Sequence, residues 1–81
     1  MCFTYAKNIL ERLGFTYRSN KGDKECRHTF FISPEGVKVT LFLLNGKAQT
    51  LSFTHGFFYR SYPISNNEDV QRAFSDFIAG I

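Results

Sequence analysis

Val37, Val39, Leu41 and Leu43 alternate with Lys38, Thr40, Phe42 and Leu44. This period of two sorts side chains onto the two faces of a strand. Asn45-Gly46 follows, a pair that tolerates positive φ at both centres of a tight hairpin. A further strand is predicted around Gln49 to Thr54. Upstream, a strand is predicted from about Cys26 to Ile32, closed by Ser33-Pro34-Glu35-Gly36, in which Pro presets φ and Gly ends the turn. Phe15 to Arg18 reads as a first strand. Ser19 to Lys24 reads as the turn behind it, on the strength of Asn20, Gly22 and Asp23. His55-Gly56 breaks the fourth strand, and Phe57 to Tyr62 fits either a fifth strand or an ordered loop that Pro63 ends.

Two segments carry the helical period instead. Phe3, Ala6, Ile9, Leu10 and Leu13 form one apolar stripe, stopped by Gly14. Val70, Ala73, Phe74, Phe77 and Ile78 form another, ended by Gly80. Ser65-Asn66-Asn67-Glu68 ahead of it has capping-box spacing, and Glu68 and Asp69 suit the positive end of the helix dipole. The order is α-β-β-β-β-(β)-α. Short connections imply an antiparallel meander, and both helical stripes need the same apolar sheet face. The predicted fold is a single α+β domain over residues 1–81. It is a two-layer sandwich, with a four- to five-stranded meander flanked by an N-terminal and a C-terminal helix packed on one face.

The alternation assigns Phe15, Tyr17, Phe30, Ile32, Val37, Val39, Leu41, Leu43, Leu51 and Phe53 to the covered face. It leaves Thr16, Arg18, Arg27, Thr29, Phe31, Lys38, Thr40, Phe42, Leu44, Thr50, Ser52 and Thr54 uncovered. His28 falls in the core-facing phase. Ten Phe in 81 residues exceed what one small core needs, which points to an aromatic contact surface. Three adjacent rings at Phe57-Phe58-Tyr59 cannot all face one core from a strand, and Tyr and Arg are favoured at interface hot spots.

A net charge of +3 permits nucleic-acid or acidic-protein partners and demands neither. Two cysteines make no disulfide framework. No stretch approaches the roughly 18 apolar residues of a membrane span, and no basic start with an apolar run opens the chain. A cytoplasmic protein with reduced thiols and no membrane partner is expected. Cys2, Cys26, His28 and His55 lack the compact spacing of a zinc site. No nucleophile elbow or phosphate-binding Gly loop is present, so no metal, cofactor or small-molecule substrate is expected.

Two known RNA-binding patterns fit poorly. Gly56-Phe57-Phe58-Tyr59 lacks the Lys/Arg-Gly start of the aromatic RNA-recognition signature. The double-stranded-RNA-binding domain shares an α-β-β-β-α order, but its basic cluster at the last helix is replaced here by Asn66-Asn67-Glu68-Asp69. A third pattern covers roughly half the chain. Leu13-Gly14-Phe15, Lys21-Gly22, His28-Thr29-Phe30 and Pro34-Glu35-Gly36-Val37-Lys38-Val39 together resemble the small HicA-type messenger-RNA interferase toxins. That resemblance implies RNA cleavage with His28 as the catalytic residue. Cys26-Arg27 stands where the family has Gly-Ser.

The residues themselves favour a non-catalytic binding protein, of a regulator or inhibitor type. Its partner would be a protein, a second copy of this chain included. The contact would use Phe31, Phe42, Leu44, Phe58, Tyr59 and Arg60. The alternative is a single-stranded nucleic-acid-binding protein, with Phe31 and Phe42 as stacking platforms and Arg18, Arg27 and Lys38 as phosphate contacts.

Overall fold

The alternation that begins at Val37 is realised in β3 (Lys38–Leu44), the centre of a five-stranded antiparallel sheet in a computed structural model that describes residues 2–80. The other strands are β1 (Thr16–Gly22), β2 (Cys26–Ile32), β4 (Lys47–His55) and β5 (Phe58–Pro63), in the spatial order β1-β2-β3-β4-β5. The Phe57–Tyr62 segment is thus a strand, and the first turn is shorter than predicted because β1 runs on to Gly22. There Asp23 Oδ1 accepts the N–H groups of Glu25 (2.9 Å) and Cys26 (3.0 Å) and closes the hairpin. Asn45 adopts φ 52° and Gly46 φ 81°, the paired positive φ that Asn-Gly supplies.

The helices α1 (Phe3–Arg12) and α2 (Asn67–Gly80) lie on one face of the sheet, α1 against β1 and β4, α2 against β4 and β5, and against each other. Ala6, Ile9 and Leu10 of α1 and Val70, Ala73 and Phe77 of α2 enter one core with Phe31, Val39, Leu41, Leu43, Leu51 and Phe53. Phe77 stacks between Phe53 (5.1 Å, 23°) and Phe58 (5.0 Å, 12°). The α2 cap lies one residue later than predicted. Asn66 Oδ1 accepts from the Asp69 N–H at 2.9 Å, so Asn66 is the cap, while Asp69 Oδ2 reaches one residue further back and accepts from the Ser65 N–H (2.8 Å) and hydroxyl (2.9 Å).

The phase of β2 is the opposite of the predicted one. Phe31 (1% exposed) and Thr29 (0%) face the helices, while Cys26, His28, Phe30 and Ile32 face away. Register decides this. Phe31 pairs with Val39, Thr29 with Leu41 and Arg27 with Leu43, so β2 inherits the phase of the better-patterned β3. Phe31, Thr29 and Arg27 therefore leave the uncovered face. His28 joins it, exposed, instead of facing the core.

Two β-bulges complete the arrangement. Between Tyr17 and Ser19 an extra residue, Arg18, interrupts β1, and between Thr50 and Ala48 an extra residue, Gln49, interrupts β4. Each shifts the alternation by one position beyond it. Lys21 then pairs with His28 and Lys47 with Leu44. Unbroken alternation from Tyr17 or Leu51 would have pointed both lysines at the helices.

Candidate functional site: the uncovered sheet face

The 36 strand residues contain no Asp or Glu, and six of them are Lys or Arg. The seven acidic residues all lie in helices or turns: Glu11, Asp23, Glu25, Glu35, Glu68, Asp69 and Asp76. Among the described residues Arg72 alone of the ten Lys and Arg forms an ion pair, with Glu68 and Asp69 on its own helix. The molecule is therefore divided into an acidic helix α2 and a sheet whose cations form no ion pair among the described residues.

On the face away from the helices, the centre is aromatic and apolar. His28 and Phe42 sit opposite each other on β2 and β3, their rings 5.0 Å apart at 47°. Phe30 and Ile32 continue the row along β2, half-buried, and Leu44 (44% exposed) continues it along β3. Arg18, Lys21, Lys38 and Lys47 stand around this centre. Thr40, Thr50, Ser52, Thr54 and Ser61 supply hydroxyls across β3, β4 and β5, where Tyr59 donates to Ser52 (3.4 Å) and Ser52 to Ser61 (3.2 Å). A depression of ≈ 370 Å³ opens here, lined among others by Arg18, Phe30, Ile32, Lys38, Thr40 and Thr54. The β1 bulge sets Arg18 at its rim.

Of the residues singled out from sequence, Phe42, Leu44, Tyr59, Arg18 and Lys38 meet on this face. Phe31 is core and Arg27 lies under α1. Phe58 turns to the helix side and stacks on Phe77, with the Arg60 guanidinium 5.0 Å from its ring centre. The segment Phe58-Tyr59-Arg60 is thus divided between the two faces and presents no continuous surface. Phe30, Lys21 and Lys47 belong to the face and were missed. Phe30 fell to the inverted phase of β2, and the two lysines to bulges that leave no mark in the hydrophobic pattern.

No side-chain hydrogen bond holds the His28 ring among the described residues, and no three of His, Cys, Asp and Glu gather closely enough to hold a metal ion there. Asp23, Asp69 and Tyr62 titrate away from their ordinary values. Backbone N–H groups of Cys26 and Glu25 hold the Asp23 carboxyl below the usual carboxylate range, with a lesser pull from Arg27. The Ser65 backbone N–H and hydroxyl do the same to Asp69. Burial, and then a 2.6 Å hydrogen bond to Asp76, push the Tyr62 phenol up. No described helix is long and apolar enough to cross a membrane. No known family model, curated protein or solved structure matches this chain.

Proposed function

We propose that the protein is a non-catalytic binding protein that holds single-stranded nucleic acid on its uncovered sheet face. One observation carries the reading: exposed and half-buried rings at the centre of a sheet that has cations on its strands and no carboxylate. Rings on an open sheet stack with bases of any sequence, because every base offers a π-face. Arg18, Lys21, Lys38 and Lys47 neutralise phosphates, and the Thr and Ser hydroxyls reach sugar and phosphate oxygens. His28 takes a stacking role beside Phe42. A second copy meeting this face with its own would set like charge against like charge, which disfavours a face-to-face homodimer.

The test is fluorescence anisotropy with a labelled mixed-sequence single-stranded RNA, read beside a gel. Phe42→Ser weakens binding by roughly 5- to 150-fold if one base stacks there, with the far-ultraviolet spectrum unchanged. Discrete cleavage lost in His28→Ala would replace this reading with the RNA-cleaving one. Intact, unbound RNA would overturn both.

One observation favours the protein-partner reading. Phe57 at the β4–β5 turn is fully exposed (109%), next to Tyr59 at 58%, and an unpartnered ring at a loop tip suits insertion into a pocket of another protein. Phe57→Ser leaves RNA binding intact if the sheet face is the working surface, and abolishes partner capture if the turn is.

A further inference from the structure

A second concavity lies on the other side of the sheet, between the first half of α1 and the β1–β2 pair. It measures ≈ 160 Å³ and is lined by Phe3, Lys7, Tyr17, Asn20, Arg27 and Thr29. Among these are two cations and no carboxylate. Asn20 Nδ2 donates to the Tyr17 hydroxyl oxygen at 2.7 Å, which leaves the phenolic proton free to donate. The β1 bulge makes that pair possible, since it turns Asn20 to the helix side while sending Lys21 to the other.

Thr29 is the decisive residue. It is 0% exposed, and its Oγ1 is the single buried side-chain polar atom without a hydrogen-bond partner among the described residues. Its cross-strand neighbours are Asn20 and Leu41. A valine would fill the same place without leaving a hydroxyl unmet, and a buried hydroxyl with no partner is destabilising. Neither Lys7 nor Arg27 forms an ion pair among the described residues. Glu11 stands one turn further along α1, and Asp23, the carboxylate that senses Arg27, is already held by two backbone N–H groups.

We infer that this cleft binds a phosphoryl oxyanion, supplied as free phosphate or as a phosphomonoester. Lys7 and Arg27 neutralise the charge and Tyr17 donates a hydrogen bond to its oxygens, while the Thr29 hydroxyl, closed to water as the cleft stands, donates once the neighbouring Tyr17 side chain shifts to admit the ligand. The cleft lies on the opposite side of β2 from the nucleic-acid face, so this site and that reading stand or fall separately.

The experiment is thermal unfolding at constant ionic strength, titrating inorganic phosphate or ribose 5-phosphate against chloride. A ligand that binds only the folded state raises the midpoint saturably, by roughly 5–10 °C at ten times its Kd. Arg27→Gln and Lys7→Gln are expected to lose the saturable rise. Thr29→Val is expected to melt no lower than the wild type in chloride, and to need several-fold more phosphate for the same rise. Saturation by either probe supports the site and identifies the source. A rise that never saturates and is shared by all variants is general ion exclusion and overturns it. A Thr29→Val protein that melts lower than the wild type in chloride also overturns it, because the hydroxyl would then already have a partner inside the fold.

Discussion

Truncating the two adjacent rings of β2 separates the two possible phases of that strand. Phe31 is 1% exposed, packed edge-on to Tyr17 at 6.0 Å and set among Val39 and the helices. Phe31→Ala removes a fully buried ring and leaves a cavity, at a cost of about 3–5 kcal/mol. A domain of this size has a total stability of roughly 4–12 kcal/mol, so the variant loses a large part of it. Phe30 lies half-buried on the uncovered face, and Phe30→Ala costs about 1–2 kcal/mol. The chain has no Trp, so urea unfolding is followed by far-ultraviolet circular dichroism. With a slope of about 1.5 kcal/mol/M, Phe31→Ala lowers the midpoint by roughly 2–3 M and Phe30→Ala by roughly 1 M. A Phe30→Ala protein as destabilised as Phe31→Ala would refute the assigned phase, and with it the composition of the proposed binding face.

Gly22 has φ +112° and a Cβ there would collide with the Cys26 carbonyl oxygen, whereas Gly46, at φ +81°, has open space around it. Gly22→Ala should therefore cost more than Gly46→Ala, whose penalty is the left-handed backbone alone at about 1 kcal/mol; paired urea titrations compare them. Asn66→Ala removes the α2 cap and should cost about 1 kcal/mol, measured the same way. The folded-state carboxyls of Asp23 and Asp69 are held below their unfolded range, so their contribution is present above about pH 4 and is lost as pH falls through the lower folded values. Melting in acid should show this, and Asp69→Asn should flatten the decline. Tyr62 has the opposite sign. Its raised phenol favours the folded state at neutral pH, and that share is lost only as pH rises through the folded value above about 10, which Tyr62→Phe should remove from an alkaline melting series.

The strand order, both helices and the two-layer architecture were legible because each rests on a periodic pattern. The stripe of α1 is unbroken from Phe3 to Leu13, and Val37 followed by Val39, Leu41 and Leu43 of β3 gives strict alternation before a hairpin pair. The face of β2 was not legible. Thr29-Phe30-Phe31-Ile32 offers a bulky apolar residue in either phase, and only pairing with Val39 and Leu41 selects Phe31 for the core. The bulges at Arg18 and Gln49 were equally invisible, since an extra residue in a strand has no compositional mark, yet they place Lys21 and Lys47 on the binding face. The fifth strand was hidden by its mixed roles, with Phe58 and Tyr62 packed toward the helices while Tyr59 and Ser61 face away. The proposed site is concentrated where local pattern is weakest, and cross-strand register decides it.

The central claim is tested most directly by the salt dependence of single-stranded RNA binding. Four phosphate contacts, by Arg18, Lys21, Lys38 and Lys47, predict a slope of log K against log salt near −2.8, at about −0.7 per contact. Affinity then falls by roughly 50-fold between 50 and 200 mM salt. Lys21→Gln and Lys38→Gln should each make the slope shallower by about 0.7, while Arg60→Gln, on the helix side, leaves it unchanged. A slope near zero, or one that the Lys21 and Lys38 variants do not alter, would contradict the account.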